Sequence, residues 1–583
     1  MSAPHPQMID PTRPTCVGEL LEEACQTFKT ETALIEVDRK KERHRLSYLD
    51  FKNEAAKVIG FLDDKDIGPG DRVAIVMSNQ SRWLLAAYAI FHRGATLIPL
   101  DFKLNAKEQE ALIQHGKPKG LIIEHGLMRR FEKLDGSAPS VNFALVSEAP
   151  EGTTWDVDGT RWEDLDAPDL TPPRVSQARD DVACIVYSSG TGGRAKGCML
   201  SHDAYLEQLR ALMARFPMHP GHRTFSILPT NHAIDFMVGF LGPFSCGATV
   251  VHQRTLRPEF LRSTMQAYGI THMALVPLLL TAFEESIDEK MAERPKLVRR
   301  AFSLLGGLNE MLTQKAPNPG LSRSLLGPVH DAFGGELEVL FCGGAFVDRE
   351  RAELFYRMGL PVVIGYGLTE VCTVATVNDL KPFRGDSVGR PVDGVEIRIH
   401  EPGLDGVGEV WIRGRTMMLG YLDEPELTAE TITEDGWLRT GDLGWMDAAH
   451  HLHLVGRSKN MIVTTGGKNV YPEDIEGAFE DLPVEELAVF ASGFLWPRSS
   501  PLGEEHLVAV LRPKKGNGVS APSVDEVLAT LSAKNRRLPD FKRVRGVLVW
   551  GETFPRTASM KVKRQLLADT LRDRADQERL LRL

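Results

Sequence analysis

The chain has 583 residues, a formal net charge of −10, and an ordinary globular composition with 42% hydrophobic and 25% charged residues. That acidic balance argues against a nucleic-acid-binding protein, whose contact surface is basic. The seven scattered cysteines form no C-x-x-C pair and favour a reduced, cytoplasmic chain. Because no segment approaches the ~20 continuous apolar residues of a membrane span, no transmembrane segment is predicted, while peripheral contact with a membrane stays open.

The first part of the chain alternates between helical and strand patterns. Helical spacing occurs at 18–28 and 46–64, a short apolar strand follows at 71–79, and 83–101 repeats the cycle of helix, glycine turn and strand. Strands that alternate with helices predict an α/β fold with a largely parallel sheet.

The pattern changes in the second half of the chain. Residues 281–330 are charged and helical in spacing. After about residue 385, short alternating strands such as 395–400 and 408–414 predict a small antiparallel β unit. A helix is expected to begin near Pro472, and the residues after it are typical of a compact α+β unit.

A glycine-rich loop follows the apolar strand that ends at Tyr187. Small residues let backbone N–H groups approach an anion closely, while hydroxyls add donors and a lysine adds charge. The spacing does not satisfy the Walker pattern G-x-x-x-x-G-K-[ST], which excludes a P-loop nucleotidase, and a single glycine-rich loop is often no more than a turn. The candidate phosphate-binding residues are Ser188, Ser189, Gly190, Thr191, Gly192, Gly193 and Lys196.

Taken with further motifs along the chain, this loop resembles the signature of the adenylate-forming superfamily, and the chain is most similar to its AMP-binding acyl-CoA synthetases. The family loop usually reads Y-[ST]-S-G-T-T-G-x-P-K-G, so Gly192 replaces a threonine and Ala195 a proline. In the C-terminal motif, Met560 replaces the usual glycine. The other motifs follow in family order: CGGA at 342–345, GYGLTE at 365–370, GWLRTGD at 436–442, GRSK at 456–459, and the segment from Pro555 to Lys561.

The resemblance implies both a fold and a division into domains. Residues 1–457 would form a large N-terminal AMP-binding domain of packed α/β subdomains plus a small β-barrel-like unit, holding the acyl and ATP sites. Residues 458–583 would form a small, mobile α+β C-terminal domain that carries the catalytic lysine.

The resemblance also implies ATP, Mg²⁺ and coenzyme A as cofactors. Thr191 and Glu370 would hold Mg²⁺ and the phosphates, because hard oxygen ligands suit that ion, and Asp442 would grip the ribose hydroxyls with Arg457 beside it. Further contacts to ATP or AMP would come from the glycine-rich loop named above and from Gly343, Gly344, Ala345, Gly365, Tyr366, Gly367, Thr369 and Lys561.

The chemistry that follows from the resemblance is the activation of a carboxylic acid. The carboxylate attacks the α-phosphate of ATP, and because charge concentrates there, positioning and counter-charge dominate catalysis. Lys561 would supply the cation, and His232 would lie at the acyl pocket. Lys459 would be the hinge that exchanges the Lys561 segment for a CoA-binding loop, formed by Gly466, Gly467, Lys468 and Asn469.

We therefore expect an ATP-dependent ligase that converts an acid, of the medium- or long-chain fatty type, to an acyl-adenylate and then to acyl-CoA. The loop at 467–476 and the basic helical insert near residue 300 resemble long-chain acyl-CoA synthetases. Two alternatives stay open: a fatty-acyl-AMP ligase that loads a carrier protein, and a catalytically silent homologue that only binds nucleotide. A peptide-synthetase module is disfavoured because His232 stands where an aspartate would pair with the substrate amine.

Overall fold

The computed structural model describes residues 9–132, 140–188, 195–463, 469–480, 482–496, 506–514, 523–556, 562–574 and 580–583. The chain forms two compact units. Unit 1 comprises Met1–Ile397 and Ile412–Leu438, and unit 2 comprises Arg398–Trp411 and Arg439–Leu583. The sequence predicted a different boundary, between residues 457 and 458, at which a mobile C-terminal domain would begin. That boundary stays a prediction.

The α-helices of the described residues are α1 (Val17–Thr27), α2 (Tyr48–Asp64), α3 (Ser81–His92), α4 (Ala106–Gly116), α5 (His125–Glu132), α6 (His202–Arg215), α7 (Gly242–Ser245), α8 (Pro258–Tyr268), α9 (Pro277–Ala292), α10 (Lys296–Thr313), α11 (Pro319–Ala332), α12 (Arg349–Arg357), α13 (Pro425–Thr431), α14 (Pro472–Ala478), α15 (Ser492–Leu495), α16 (Val524–Asn535) and α17 (Arg564–Arg574). Capping boxes open α2, α4 and α16, where Ser47, Asn105 and Ser523 exchange hydrogen bonds with the third helical residue. Proline at the first helical position opens α14, which confirms the helix predicted near Pro472.

The strands of the described residues are β1 (Thr32–Asp38), β2 (Lys41–Ser47), β3 (Arg72–Val76), β4 (Thr96–Pro99), β5 (Gly120–Glu124), β6 (Phe143–Ser147), β7 (Asp158–Arg161), β8 (Val182–Ser188), β9 (Lys196–Ser201), β10 (Arg223–Ser226), β11 (Thr249–Gln253), β12 (His272–Leu275), β13 (Val339–Gly343), β14 (Val362–Tyr366), β15 (Thr376–Val377), β16 (Arg390–Pro391), β17 (Val395–His400), β18 (Gly408–Gly414), β19 (Gly420–Tyr421), β20 (Leu438–Met446), β21 (Leu452–Arg457), β22 (Ile462–Val463), β23 (Asn469–Val470), β24 (Val484–Ala491), β25 (Leu507–Pro513), β26 (Val544–Val549) and β27 (Leu580–Arg582). A π-helix spans Asp235–Leu241, and a 3₁₀ turn spans Thr369–Val371.

Two large sheets form the frame of unit 1. The first has the strand order β16-β15-β14-β13-β12-β10-β11-β1-β2, and the run from β14 to β1 is parallel. The second has the order β19-β9-β8-β4-β3-β5-β6-β7, and the run from β8 to β7 is parallel. In both sheets the antiparallel pairs lie at the edges, at β14-β15-β16 and β1-β2 in the first and β8-β9-β19 in the second.

Helix α3 lies between these two sheets. It contacts β1 of the first sheet and β3 and β4 of the second. All of its residues except Arg82 are buried, as expected for a helix that is apolar on every side. Trp83 packs edge-on against Phe236 of the π-helix, with ring centroids 5.8 Å apart. The sequence WLLAAYAIF therefore forms the central layer of the unit.

A partly buried ionic network joins the same two sheets. The guanidinium of Arg254 lies 3.6 Å from the carboxylate of Glu36 on β1 and 3.8 Å from that of Glu124 on β5. Glu36, which is 3% exposed, also accepts hydrogen bonds from the backbone N–H and the hydroxyl of Ser81, both at 2.7 Å. Because each buried charge has a partner, the network fixes the relative position of the sheets without leaving an uncompensated ion.

Unit 2 contains its own sheet, with the order β24-β25-β26-β27. The pair β25-β26 is parallel, and the outer pairs are antiparallel. One face of this sheet packs against Phe479 and Leu531, and the other packs against Phe554 and Leu567. A further sheet has the order β17-β18-β20-β21 and lies in the region where a small antiparallel unit was predicted, and its pair β20-β21 is antiparallel.

The predicted α/β architecture is confirmed, with a large parallel-sheet body and a small C-terminal α+β part. Among the helices that the structure describes, none combines the length and apolar character needed to cross a bilayer. The seven cysteines are free thiols, and each is buried. Burial raises the pKa of the Cys25 and Cys184 thiols to about 12.

Candidate functional site

The glycine-rich loop lies in unit 1, between β8 and β9. These strands are antiparallel and place Ser188 directly opposite Lys196, so the two ends of the loop lie side by side. The predicted phosphate-binding residues Ser189, Gly190, Thr191, Gly192 and Gly193 lie outside the described residues.

Lys196, Tyr421 and Glu370 form a chain of contacts beside this loop. The Lys196 Nζ lies 4.9 Å from the centroid of the Tyr421 ring. The Tyr421 hydroxyl donates a hydrogen bond of 3.0 Å to Oε1 of Glu370. Glu370 lies in the 3₁₀ turn after β14, and its backbone carbonyl accepts a hydrogen bond of 2.8 Å from the Met418 N–H. A cation, an aromatic ring and a carboxylate are thereby brought together from three separate segments of the chain.

Tyr421 connects the two sheets of unit 1 at this point. It lies on β19, which pairs with β9, and its hydroxyl reaches the residues that follow β14 of the other sheet. Burial, and then the negative charge of Glu370, raises the pKa of the phenol, so the hydroxyl stays protonated and acts as a donor. The sequence motifs did not reveal Tyr421, for which the local signal is the Gly420-Tyr421 pair in an otherwise apolar stretch.

The two glycine motifs at the carboxyl ends of β13 and β14 lie next to each other. Gly343 pairs with Gly365, and a Cβ on Gly343 would lie 3.1 Å from the Gly365 carbonyl oxygen. A Cβ on Gly367 would lie 2.0 Å from the carbonyl oxygen of Thr373, so no side chain fits there. Gly344 has φ of +86°, which glycine adopts without strain. In open parallel sheets, ligands bind at this carboxyl edge.

The remaining residues predicted in these motifs lie beside the glycines. Ala345 is exposed, Tyr366 is buried on β14 opposite Thr376, and Thr369 begins the 3₁₀ turn that carries Glu370. The structure therefore brings the 342–345 and 365–370 motifs together in unit 1, along with Lys196.

His232 lies in the loop that follows β10. Its Nε2 is 3.7 Å from Oδ2 of Asp101, a residue just after β4 that the sequence did not single out. Burial lowers the pKa of His232, with Asp101 opposing that shift, so the neutral imidazole is favoured. Among the described residues, neither of these two buried atoms has a hydrogen-bond partner. The pair retains unused hydrogen-bonding capacity.

Asp235, three residues after His232, is a buried carboxyl group that no sequence motif indicated. It accepts hydrogen bonds from the Ser226 hydroxyl at 2.7 Å and the Thr230 hydroxyl at 3.1 Å. Burial raises its pKa to about 7. It lies at the start of the π-helix, where a Cβ on Gly239 would come within 2.6 Å of its carboxylate. Asp235 therefore holds in place the loop that carries His232. The residues that follow it in the sequence are apolar and gave no indication of this role.

In unit 2, Asp442 and Arg457 face each other across the β20-β21 hairpin. They are paired in register, and the Arg457 Nε lies 2.7 Å from Oδ1 of Asp442. Asp442 is buried, and its backbone N–H donates a 3.0 Å hydrogen bond to the Thr440 hydroxyl. Arg457 remains partly exposed. Two motifs predicted to meet at a ribose are thus in direct contact.

The predicted hinge and lysine segments fall only partly within the described residues. Lys459 is exposed in a 3₁₀ turn at Ser458–Asn460. Gly466, Gly467, Lys468 and Lys561 lie outside the described residues, and Asn469 belongs to β23. Arg556 and Val562, which flank the segment with Lys561, form an antiparallel bridge.

Comparison with known proteins identifies the family. The model of the family described as AMP-binding enzyme matches residues 21–422. The chain therefore belongs to the AMP-binding enzyme family, which confirms the family and the enzyme class indicated by the motifs.

Curated relatives resemble the chain over most of its length. The 3-(7a-methyl-1,5-dioxo-octahydro-1H-inden-4-yl)propanoyl:CoA ligase of Rhodococcus jostii is 29% identical over 571 residues, covering 96% of this chain and 99% of the relative. A feruloyl-CoA synthase of Amycolatopsis is 27% identical, covering 89% and 92%. A long-chain-fatty-acid–CoA ligase of Mycobacterium bovis is 26% identical, covering 72% and 70%.

Solved structures share the fold. The o-succinylbenzoate CoA synthetase of Bacillus subtilis, solved with its acyl-adenylate intermediate, has a TM-score of 0.72 at 20% identity, covering 96% of this chain and 98% of that chain. An anthranilate CoA ligase in complex with anthranoyl-AMP has a TM-score of 0.74 at 20% identity, covering 97% and 99%. The adenylate-forming fold predicted from the motifs is confirmed.

Asp235 makes stability depend on pH. The folded protein holds this proton up to about pH 7, whereas an ordinary aspartate loses it near 3.8. The free energy of unfolding should therefore fall as the pH rises from about 4 to about 7, by roughly 1.4 kcal/mol per pH unit for this group. Asp235→Asn, which keeps an oxygen acceptor, should remove that component in urea unfolding curves measured across the range.

The exposed Asp156 provides the control, since Asp156→Asn should leave the pH dependence as in the unmodified protein. A wild-type slope that persists in Asp235→Asn would contradict the assignment of the titrating group.

Proposed function

We propose that the protein is an ATP-dependent, AMP-forming acyl-CoA ligase. An oxygen of the acid's carboxylate bonds to the α-phosphorus of ATP, and the bond from that phosphorus to pyrophosphate breaks. The thiol sulfur of coenzyme A then bonds to the acyl carbon, the bond to AMP breaks, and the thiol proton is released. Family membership supports the first step, and the names of relatives that span nearly the whole chain support the second.

The observation that carries the proposal is the contact chain from Lys196 through Tyr421 to Glu370 beside the glycine-rich loop. Adenylation concentrates negative charge on the phosphates, so preorganised cations and hydrogen-bond donors at that place lower the barrier. Lys196 offers a cation whose position is held over an aromatic ring at 4.9 Å. Tyr421 in turn holds one oxygen of Glu370 and fixes the direction of its carboxylate.

Glu370 fits a magnesium ligand because its carboxylate supplies hard oxygen atoms at the phosphate-binding edge. We propose that it holds Mg²⁺ together with Thr191, and that the ion offsets phosphate charge when bound. Tyr421 contributes by keeping the Glu370 side chain in place.

We propose that Asp442 accepts hydrogen bonds from the ribose hydroxyls. The 2.7 Å contact with Arg457 orients the Asp442 carboxylate through a charge-assisted hydrogen bond. The glycine motifs at 343–344 and 365–367 provide the close backbone approach that a flat adenine ring requires.

The two half-reactions are proposed to use two faces of the C-terminal part. Lys561 serves adenylation, the loop of Gly466, Gly467, Lys468 and Asn469 serves the thiol, and Lys459 is the hinge between these states. The exposure of Lys459 in a short turn is compatible with a change in its backbone dihedrals.

For the acyl group, we propose a medium- or long-chain fatty acid handled in the cytoplasm. A second candidate is a ring-bearing propanoate with carbonyl groups. It is favoured by the similarity to the Rhodococcus ligase over nearly the full length of both chains, and by the unpaired Nε2 of His232, because an imidazole N–H can donate to a carbonyl oxygen. Buried polar groups of this kind select substrates that can satisfy them.

A competition assay distinguishes these classes. Purified protein is given ATP, Mg²⁺ and CoA with an equimolar mixture of decanoate, palmitate, ferulate and the methyl-dioxo-octahydroindenyl propanoate, and mass spectrometry follows thioesters and adenylates. Thioesters of the two fatty acids are expected to form first. Preferential use of the bicyclic acid would select the second candidate, adenylates without thioesters would indicate a carrier-protein acceptor, and absence of both products would indicate a silent homologue.

Lys561→Ala should separate the two half-reactions. Adenylation, measured by pyrophosphate release, should fall by about 10²–10³-fold, which is typical for removal of one preorganised charge. Thioester formation from supplied acyl-adenylate should be largely retained, since that step uses the other face. Lys563→Ala, two residues away, is the matched control and should leave both rates near wild type. Equal loss of both half-reactions in Lys561→Ala would contradict the two-face assignment.

Tyr421→Phe should weaken adenylation by roughly tenfold and raise the Mg²⁺ concentration needed for half-maximal rate. The substitution keeps the ring beneath Lys196 but removes a hydrogen bond to a charged group, worth about 1.5–3 kcal/mol. Tyr268→Phe is a matched control, because the Tyr268 hydroxyl also donates to a glutamate, Glu42, at 2.9 Å. Identical adenylation kinetics of the two variants would contradict the proposed role of the Tyr421 hydroxyl in holding Glu370.

A further inference from the structure

Helix α10 presents apolar side chains to the solvent. Leu297 is 78% exposed, Leu304 75% and Met311 64%. With Ala301 and Leu308, these residues recur at intervals of three and four, so they form one continuous stripe along the helix. We refer to Leu297, Ala301, Leu304, Leu308 and Met311 as the outer stripe.

The opposite face of α10 is the face that packs on the protein: Phe302 lies against the hydrophobic core of unit 1, and Asn309 and Thr313 on this face are buried. Asn309 Nδ2 donates to the Arg357 carbonyl at 3.2 Å and Asn309 Oδ1 accepts from the Ser322 hydroxyl at 2.8 Å. The Thr313 carbonyl accepts from the Tyr356 hydroxyl at 2.5 Å. A surface helix ordinarily presents its polar face to the solvent, whereas α10 presents a second apolar stripe in addition to the face that it buries.

Rotation of the helix cannot bury the outer stripe. Asn309 and Thr313 are fully or almost fully buried and hydrogen-bonded, and rotation would break those bonds. Gly306, also buried, lets the helix approach Arg357, where a Cβ would lie 3.2 Å from the arginine Cγ. The outer stripe is therefore held outward, as expected of a surface that meets an apolar partner.

Basic residues border the stripe at both ends. Between positions 294 and 315, the only acidic residue is Glu310, which pairs with Arg357 at 3.0 Å. Within the part of the chain that the structure describes, the basic side chains have no ion pair or hydrogen bond of their own. They are Arg294, Lys296, Arg299, Arg300 and Lys315. On a chain with a net charge of −10, this region is locally cationic.

We propose that α10 docks on an anionic lipid bilayer, with the outer stripe inserted below the headgroups and the basic residues among them. A helix of 18 residues is about 27 Å long, and with an apolar face and cationic ends it lies in the plane of the interface. Pairing with a second copy is disfavoured because both ends are basic, so parallel and antiparallel pairs would each bring like charges together.

The test is vesicle flotation of the full-length protein without ATP or acid, so its outcome is independent of the proposed ligase activity. Binding is expected with vesicles of phosphatidylcholine mixed with phosphatidylglycerol, but not with phosphatidylcholine alone, and it should weaken as salt rises. The double variant Leu304→Glu/Met311→Glu should lose at least about tenfold in affinity. Because both side chains are mostly exposed, the fold should be retained.

Leu170→Glu is the matched control, because Leu170 is 83% exposed elsewhere in unit 1. It should bind vesicles as the wild type does. Arg299→Gln/Arg300→Gln should weaken binding by roughly twentyfold at low salt, at about fivefold per charge.

Three outcomes would overturn the proposal. The first is equal vesicle binding by the wild type and the Leu304→Glu/Met311→Glu variant. The second is equal binding to vesicles with and without phosphatidylglycerol. The third is a dimer in light scattering that Leu304→Glu dissociates, with no vesicle binding, since this would assign the stripe to a second copy of the chain.

Discussion

The pairing of β9 with the short strand β19 is the constraint on which the proposed phosphate-binding edge depends. Strand β9 begins at Lys196 and is hydrogen-bonded to β8 on one side and to β19 on the other. This pairing brings Tyr421, more than 200 residues away in sequence, beneath the lysine and against Glu370 of the second sheet. Backbone hydrogen bonds therefore bring Lys196 and Glu370, which belong to different sheets, to the same ring of Tyr421.

Local motifs pointed to the candidate site residues that stand within short, recognisable sequence patterns. Glu370 and the Asp442–Arg457 pair were found because glycines and a turn accompany them, and these leave a recognisable pattern. Tyr421 and Asp101 were missed, since each depends on a contact between distant segments. Sequence periodicity predicted the parallel sheets because their buried strands are continuous apolar runs.

Burial explains the other features that the sequence did not reveal. Asp235 looks like an interruption in an apolar run. Burial raises the pKa of its carboxyl group, and the hydroxyls of Ser226 and Thr230 hold it in place. Helix α10 was predicted as basic and helical, yet its pattern gave no sign of which face would be buried. The buried and hydrogen-bonded residues Asn309 and Thr313 decide that orientation, because apolar side chains occur on both faces of the helix.

The burial of all seven cysteines has a practical consequence. With pKa values raised to about 11 or 12 at Cys25, Cys184 and Cys246, hardly any thiolate forms at neutral pH, and alkylating reagents meet no accessible nucleophile there. The protein uses these sulfur atoms as small apolar fillers. A single cysteine introduced on the surface would consequently become the preferred target for a fluorophore or spin label, without prior removal of the native thiols.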